Sequence, residues 1–262
     1  MALLQNTEAV SFDEVHLLAS ASFLTVSRRL VNAAWRFGFS GTPLARGDQR
    51  TVYLVGATGP VIYKIKPQVL IDNGVLSAPK IQFVPCIQRV NGFSWPDVYK
   101  GGISESAARN ALLTQMVLKA EKPALLFIKE IAHGRAMLAK LRTAGLKADF
   151  VHGVKSSAER KQANKRLVHG DIDVLIASTI YDQGVDIPEL RSIIIGCGGK
   201  SDIKSLQRLG RGMRIAEGKT EMELWDVLDQ GNPWLENHAK QRRGIYISQG
   251  YQIVELATSF AA

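Results

Sequence analysis

Cysteine is nearly absent from this 262-residue chain. Cys86 and Cys197 are its only two, at no metal-ligand spacing, which argues against a disulfide framework and against a zinc site. Buried free thiols in a reducing compartment are expected. Long apolar runs are lacking as well: no stretch approaches the roughly 20 residues that cross a bilayer. Met1-Ala2-Leu3-Leu4-Gln5 places no basic region ahead of an apolar core, so no secretory signal is read there. The expectation is a soluble, cytoplasmic protein with no membrane partner. Internal repeats and low-complexity tracts are missing too. Two catalytic patterns come close and fail. Gly196-Cys197-Gly198-Gly199-Lys200-Ser201 ends as a phosphate loop does, but G-x-x-x-x-G-K-[ST] needs glycine where Ile194 stands. Around Ser40, the hydrolase elbow G-x-S-x-G needs glycine where Thr42 stands.

Apolar material is plentiful: 46% of residues are hydrophobic and 22% charged, enough for a sizeable core. The length suits one large domain or one and a half ordinary ones. A formal charge of +9 favours a polyanionic partner. The excess lies mostly in the later part of the chain. Residues 1–79 hold seven Lys/Arg against five Asp/Glu, and the remainder holds 26 against 19.

Residues 9–12 read as a buried strand that leads into Asp13-Glu14. Residues 20–34 read as a helix, 35–40 as a short apolar run broken by Gly41-Thr42-Pro43, and 51–55 and 61–65 as strands. Pro79 closes a segment that follows the Asn73-Gly74 break, and the division into domains is placed at 1–78 and 79–262. Strands are then expected at 81–90, 124–128, 148–151, 174–177, 191–195 and 221–227. Helices are expected at 104–120, 131–141, 156–167 (with Ser156 as N-cap) and 203–213. The tail admits a helix over 234–243 and an extended stretch over 246–256. Strands alternating with helices through short links imply a three-layer α/β fold around a parallel sheet.

Several pieces of chemistry fall in a fixed order. Asp13-Glu14-Val15-His16 stands at a strand end, where open α/β sheets place their ligands. Adjacent carboxylates suit nucleotide hydrolysis, since Mg²⁺ takes oxygen ligands, often through water, and the attacking water needs orienting. Ser40-Gly41-Thr42-Pro43 follows, and 174–179 runs through a hydrophobic strand to hydroxyls at Ser178 and Thr179. Then come Gln183-Gly184-Val185-Asp186-Ile187-Pro188 and Gln207-Arg208-Leu209-Gly210-Arg211-Gly212-Met213-Arg214. At about 100° per residue on a helix, Gln207, Arg211 and Arg214 share an arc of roughly 60°, with Arg208 pointing elsewhere. Paired guanidiniums in such an arc match the oxygens of a γ-phosphate.

In this order and at these separations the motifs resemble the DExH branch of superfamily 2 helicases and translocases, nearest the phage and bacterial members allied with restriction-enzyme translocases and branch-migration motors. The resemblance runs from Val10 to about Asp229. It implies RecA-like parallel-sheet layers: a partial first RecA-like domain followed by a complete C-terminal one. It implies ATP and Mg²⁺ as cofactors and nucleic acid as partner, DNA ahead of RNA. By this resemblance Asp13 holds the metal through water, Glu14 activates water, and His16 links the nucleotide site to the second domain. Gln207, Arg211 and Arg214 join the catalytic set, Gly184 and Asp186 face the nucleotide, and Ser40, Thr42 and Thr179 touch or couple to nucleic acid. His152-Gly153 with Arg160 also fits the family pattern. A Walker A loop should stand upstream of Asp13, and only twelve residues do. Three readings follow: the C-terminal portion of a helicase truncated before Walker A and inactive alone, a non-catalytic nucleic-acid-binding module, and one subunit of a two-chain motor completed by an amino-terminal half.

Overall fold

The computed structural model describes residues 2–41, 51–178, 187–199, 210 and 212–256. Contacts divide the chain into two units, Met1–Ile65 and Lys66–Ala262.

The first unit contains α1 (Ala2–Gln5), β1 (Ala9–Phe12), a 3₁₀ turn (Val15–Leu17), α2 (Ala21–Arg29), β2 (Trp35–Gly38) and α3 (Thr51–Thr58). Strands β1 and β2 pair in parallel, with Ala9 opposite Trp35 and Phe12 opposite Gly38. Val15, Leu18, Ala19 and Leu54 form a small core against Phe12 and Ala57. Gly38 is required there, because a Cβ on it would stand 2.8 Å from Val15 Cγ2. Helix α2 is shorter than the 20–34 span expected. Arg36 explains its end: the guanidinium reaches back from β2 to the carbonyls of Ser27 at 3.2 Å, Leu30 at 2.5 Å and Ala33 at 3.1 Å. The guanidinium adds a donor to carbonyls at and just past the helix end, where Ser27 O and Leu30 O also take the Leu30 and Ala33 amides.

The strands expected at 51–55 and 61–65 are corrected by the structure. Residues Thr51–Thr58 are helical, and 61–65 form no regular element. The Thr-Val-Tyr-Leu-Val run has β propensity, but burial of Leu54 in the small core overrides it.

The second unit holds α4 (Pro67–Asp72), β3 (Ala78–Ile87), α5 (Trp95–Tyr99), a π turn (Lys100–Ser104), α6 (Ala107–Lys119), β4 (Ala124–Ile128), α7 (Ile131–Thr143), β5 (Ala148–Val151), α8 (Ser157–Val168), β6 (Val174–Ser178), β7 (Ser192–Ile195), β8 (Glu221–Gln230), α9 (Pro233–Ser248) and β9 (Ile253–Glu255). Among the described residues seven strands make one sheet in the order β5-β6-β4-β7-β8-β3-β9, every pair parallel. Residues 66–77 belong with this unit, although the sequence reading divides the chain after 78. Ser77 donates its amide to Met213 O at 2.7 Å, Leu76 bridges Arg214, and Ile71 and Leu76 pack on the core.

Strand β4 is buried throughout, as a strand covered on both faces must be. Leu125 and Phe127 face a cluster that includes Ala163 and Leu167 of α8 and Tyr246 of α9. Ala124, Leu126 and Ile128 face the other, with Leu113 and Met116 of α6 and Met137 and Leu141 of α7. The result is three layers. Ser156 caps α8 in a full capping box with Glu159, two orphan amides satisfied reciprocally. The tail is helical through Ser248, further than the 243 expected, so only Ile253–Glu255 is extended.

Helix α7 crosses close to β5 at Gly134, where a Cβ would lie 2.3 Å from Phe150 Cζ. Gly134→Ala is therefore expected to destabilise the second unit by about 1–3 kcal/mol through overpacking. Urea denaturation checks this; a midpoint at or above that of the parent would refute the contact.

Candidate functional site

In the first unit the chain turns sharply after β1. Asp13 Oδ1 accepts the Glu14 amide at 2.8 Å, and Glu14 takes a left-handed conformation, φ 48°. Such a conformation in a residue with a Cβ costs on the order of 1–3 kcal/mol and persists only where its surroundings over-determine it. Here they do: Phe39 donates its amide to Phe12 O and accepts the Val15 amide, both at 2.9 Å. The turn bearing both carboxylates is thus laced to the end of β2.

His16 completes the lacing. Its Nδ1 lies 3.0 Å from Ser40 Oγ and 3.2 Å from Glu14 Oε2. One ring nitrogen offers either a proton or a lone pair. Protonated, Nδ1 faces two acceptor oxygens; bare, it accepts the Ser40 hydroxyl and repels the Glu14 carboxylate. The state of this nitrogen therefore links Glu14 to Ser40, which lie 26 residues apart in sequence. Asp13, Glu14, His16 and Ser40 are brought together, while Thr42 lies outside the described residues.

Among the described residues no group of three His, Cys, Asp or Glu side chains is placed to hold a metal ion. The carboxylates at 13 and 14 fit a Mg²⁺ bound through one or two protein oxygens plus water and phosphate, not a dedicated cage.

In the second unit, Thr179, Gly184, Asp186, Gln207 and Arg211 lie outside the described residues. Arg214 is described, and one expectation about it changes. The helical arc does not extend to it: Arg214 forms an antiparallel bridge with Leu76. Carbonyls nearby are committed elsewhere, Met213 O to the Ser77 amide and those of Gly212 and Arg214 to Lys219 Nζ.

Sequence reasoning missed a buried polar network at the C-terminal end of β8. Arg109 and Arg242 are almost wholly buried, as are Asp226 and Asp229. Arg242 Nε and Nη2 each reach Asp226 at 2.9 Å, and its Nη1 donates to Gly199 O at 2.6 Å. Arg109 Nε donates to Asp229 Oδ1 at 2.9 Å and its Nη1 to Gly196 O at 2.7 Å. Burial opposes the Arg242 charge, but the adjacent Asp226 outweighs it and raises the guanidinium's pKa. Behind Arg109, His133 is pushed down to about 4, first by burial and then by the Arg109 charge, so it is neutral at pH 7 and donates from Nε2 to Asn110 Oδ1 at 2.7 Å. The signal was present in sequence: two aspartates inside the apolar run 224–229 demand buried partners. The two arginines clamp both ends of the Gly196–Gly199 loop, where Gly198 and Gly199 have φ of 57° and 88°.

Residues 108–216 match the helicase conserved C-terminal domain. The chain is 26% identical over 256 residues to putative helicase 22 of Sulfolobus islandicus filamentous virus, covering 91% of this chain and 45% of that protein. It is 24% identical over 227 residues to the ATP-dependent DNA helicase uvsW of Enterobacteria phage T4, covering 83% of this chain and 45% of that one. The chain thus spans less than half the length of these curated relatives. The crystal structure of T4 UvsW superposes with a TM-score of 0.54 at 20% identity, covering 97% of this chain and 54% of that one. The Type ISP restriction-modification enzyme LlaBIII bound to DNA gives 0.69 at 14% identity, covering 97% of this chain and 22% of that one, and supports the RecA-like α/β fold. The chain thus carries a helicase conserved C-terminal domain at 108–216 and is similar along most of its length to helicases of superfamily 2.

Proposed function

We propose that the chain supplies the metal-and-water segment of a first RecA-like domain and the whole of a second, in an ATP-dependent motor that moves on nucleic acid, DNA ahead of RNA. Asp13 would hold Mg²⁺ through water, and Glu14 would orient and activate the attacking water. Gly184 and Asp186 would face the nucleotide; Gln207, Arg211 and Arg214 would meet its γ-phosphate. Ser40, Thr42 and Thr179 would couple to the strand. Mg²⁺, when bound with ATP, neutralises phosphate charge; the chain's own groups orient water and bring guanidiniums to the developing charge.

The observation that carries this reading is the His16–Ser40 contact at 3.0 Å. It joins the acidic turn to the Ser-Gly-Thr-Pro segment, as coupling of hydrolysis to strand binding requires. A second observation supports a partner segment bearing Walker A. The β1–β2 sheet is parallel and has only two strands among the described residues, with Trp35 66% and Phe37 44% exposed. Parallel sheets are ordinarily covered on both faces, so this one suits further strands and a covering layer.

The 262-residue polypeptide holds no Walker A loop and is expected to show almost no ATP turnover alone, because phosphoryl transfer is chiefly positioning and charge stabilisation. It is expected to bind single-stranded and duplex DNA with affinity that falls steeply with salt, since a basic α/β domain meets phosphates before bases. Titrations at two salt concentrations, with RNA in parallel, check both strand preference and slope. A flat salt response, or strong hydrolysis by the polypeptide alone, would overturn the proposal. The non-catalytic binding module, favoured by the net charge of +9, is separated from the motor by adding a Walker A-bearing segment: turnover appears only in the motor.

A further inference from the structure

Lys219 is a buried cation with no part in the reaction just described. It leaves a turn at 216–218 that is shaped for the purpose. Gly218 has φ 66°, and Arg191 donates to Gly218 O at 2.6 Å and to Glu217 O at 3.3 Å. The turn directs the lysine inward, where it is 5% exposed. Its Nζ donates to Pro188 O at 2.9 Å, to Arg214 O at 2.9 Å, and to Gly212 O. An ammonium has three N–H groups, and all three are used on main-chain carbonyls.

These carbonyls come from two places in the chain. Pro188 ends the Gln183-to-Pro188 segment, and Gly212 and Arg214 are among the last three residues of the Gln207-to-Arg214 segment. We propose that Lys219 is a positioning residue whose ammonium latches the Pro188 end of one segment to the Gly212–Arg214 end of the other. The inference rests on the functional reading above and adds a residue that neither the motif pattern nor the family match assigns. A carbonyl-only cage suits the task, because it fixes backbone positions while leaving the neighbouring side chains to the ligand.

The charge state of the latch falls within experimental reach. Burial first, then the nearby Arg191 charge, push Lys219 down to about 8, with Glu189 opposing. The folded-state value lies below the ordinary 10.5, so between the two the unfolded chain binds more protons. Through this group alone, stability therefore rises with pH over that window and does not fall. The geometry changes in the opposite sense. A neutral amine has two N–H groups, so one of the three carbonyls loses its donor.

The test uses the full chain. Carbonyl ¹³C shifts of Pro188, Gly212 and Arg214 are expected to titrate together with a midpoint near 8 and to be silent in Lys219→Met, whose side chain keeps the stem without the donors. Amide exchange at 189–190 and 212–214 in that variant is expected to accelerate about tenfold, with the strands of the sheet unchanged. In an active assembly with a Walker A-bearing segment, kcat is expected to fall by about 10²-fold, the effect of a small misplacement, with little change in KM for ATP. Carbonyls that do not titrate together, exchange that rises equally throughout the sheet, or an unchanged kcat would each overturn the latch. Titrating carbonyls in a wild-type assembly that never turns over would instead refute the motor reading and leave the latch standing.

Discussion

Replacing Arg211 or Arg214 with alanine is expected to lower ATP turnover by about 10³–10⁵-fold once the chain is combined with a Walker A-bearing segment. The chemistry sets the size of the effect. As the γ-phosphoryl group transfers, charge gathers on its equatorial oxygens, and guanidiniums aimed at them act in a water-poor site where such contacts are strong. Lysine is a poor substitute, because only the planar fork pairs with two phosphate oxygens at once. Asp13 and Glu14 would offer no such stabilisation, since in the proposed motor they serve metal and water. The structure refines the expectation for Arg214. Its backbone is fixed by the bridge to Leu76 and by the Lys219 ammonium, so alanine there removes the guanidinium without releasing the chain. Arg208→Ala is the internal control and should change turnover little, since helical spacing in the sequence points it away from Gln207 and Arg211. If Arg208→Ala impairs turnover as much as the other two, the face is wrongly assigned. If none of the three matters in an active assembly, the motor reading is wrong.

Regular elements were legible where local chemistry and tertiary burial agree. Strand β4 and strand β5 fall on the residues expected, because five consecutive apolar residues and a four-residue run between turns leave little choice. Ser156 was readable as an N-cap because Glu159 follows at capping-box spacing. The reading failed where distant contacts decide. Nothing local in 51–58 says that Leu54 will be buried by Val15 and Leu18, and nothing local in α2 shows that Arg36 will end it. In the candidate site, the Asp13-Glu14-Val15-His16 and Ser40-Gly41 segments were visible as motifs, but their physical junction through His16 Nδ1 was not. Lys219 was invisible for the opposite reason. A lysine after Glu217-Gly218 reads as a surface turn, and only the fold shows its ammonium enclosed by carbonyls.

Arg242→Leu is expected to destabilise the second unit by about 3–5 kcal/mol, the effect of breaking a buried ion pair from one side. Asp226 has no solvent exposure, and its oxygens take three contacts from Arg242, at 2.9, 2.9 and 3.2 Å. Without the guanidinium the carboxylate keeps the Tyr246 hydroxyl at 3.3 Å and the Val227 amide at 2.8 Å, too little for an unpaired buried charge. Val227 O and Gly199 O lose their donor as well. A fall in melting temperature of roughly 6–20 °C follows for a unit of this size. Removing both partners, Asp226→Leu with Arg242→Leu, should recover most of the loss, because desolvating the pair consumes much of its attraction. Urea denaturation of the four proteins closes the cycle. A single variant that melts with the parent, or a double variant no better than the single, would refute the pairing energetics. Recovery of stability then poses the functional question directly. An apolar pair holds nothing at Gly199 O, the far end of the Gly196–Gly199 loop. If the polar pair is retained to hold that loop, the stable double variant will bind nucleic acid but turn over poorly in the assembled motor. Full turnover would show that Arg242 and Asp226 serve the fold alone.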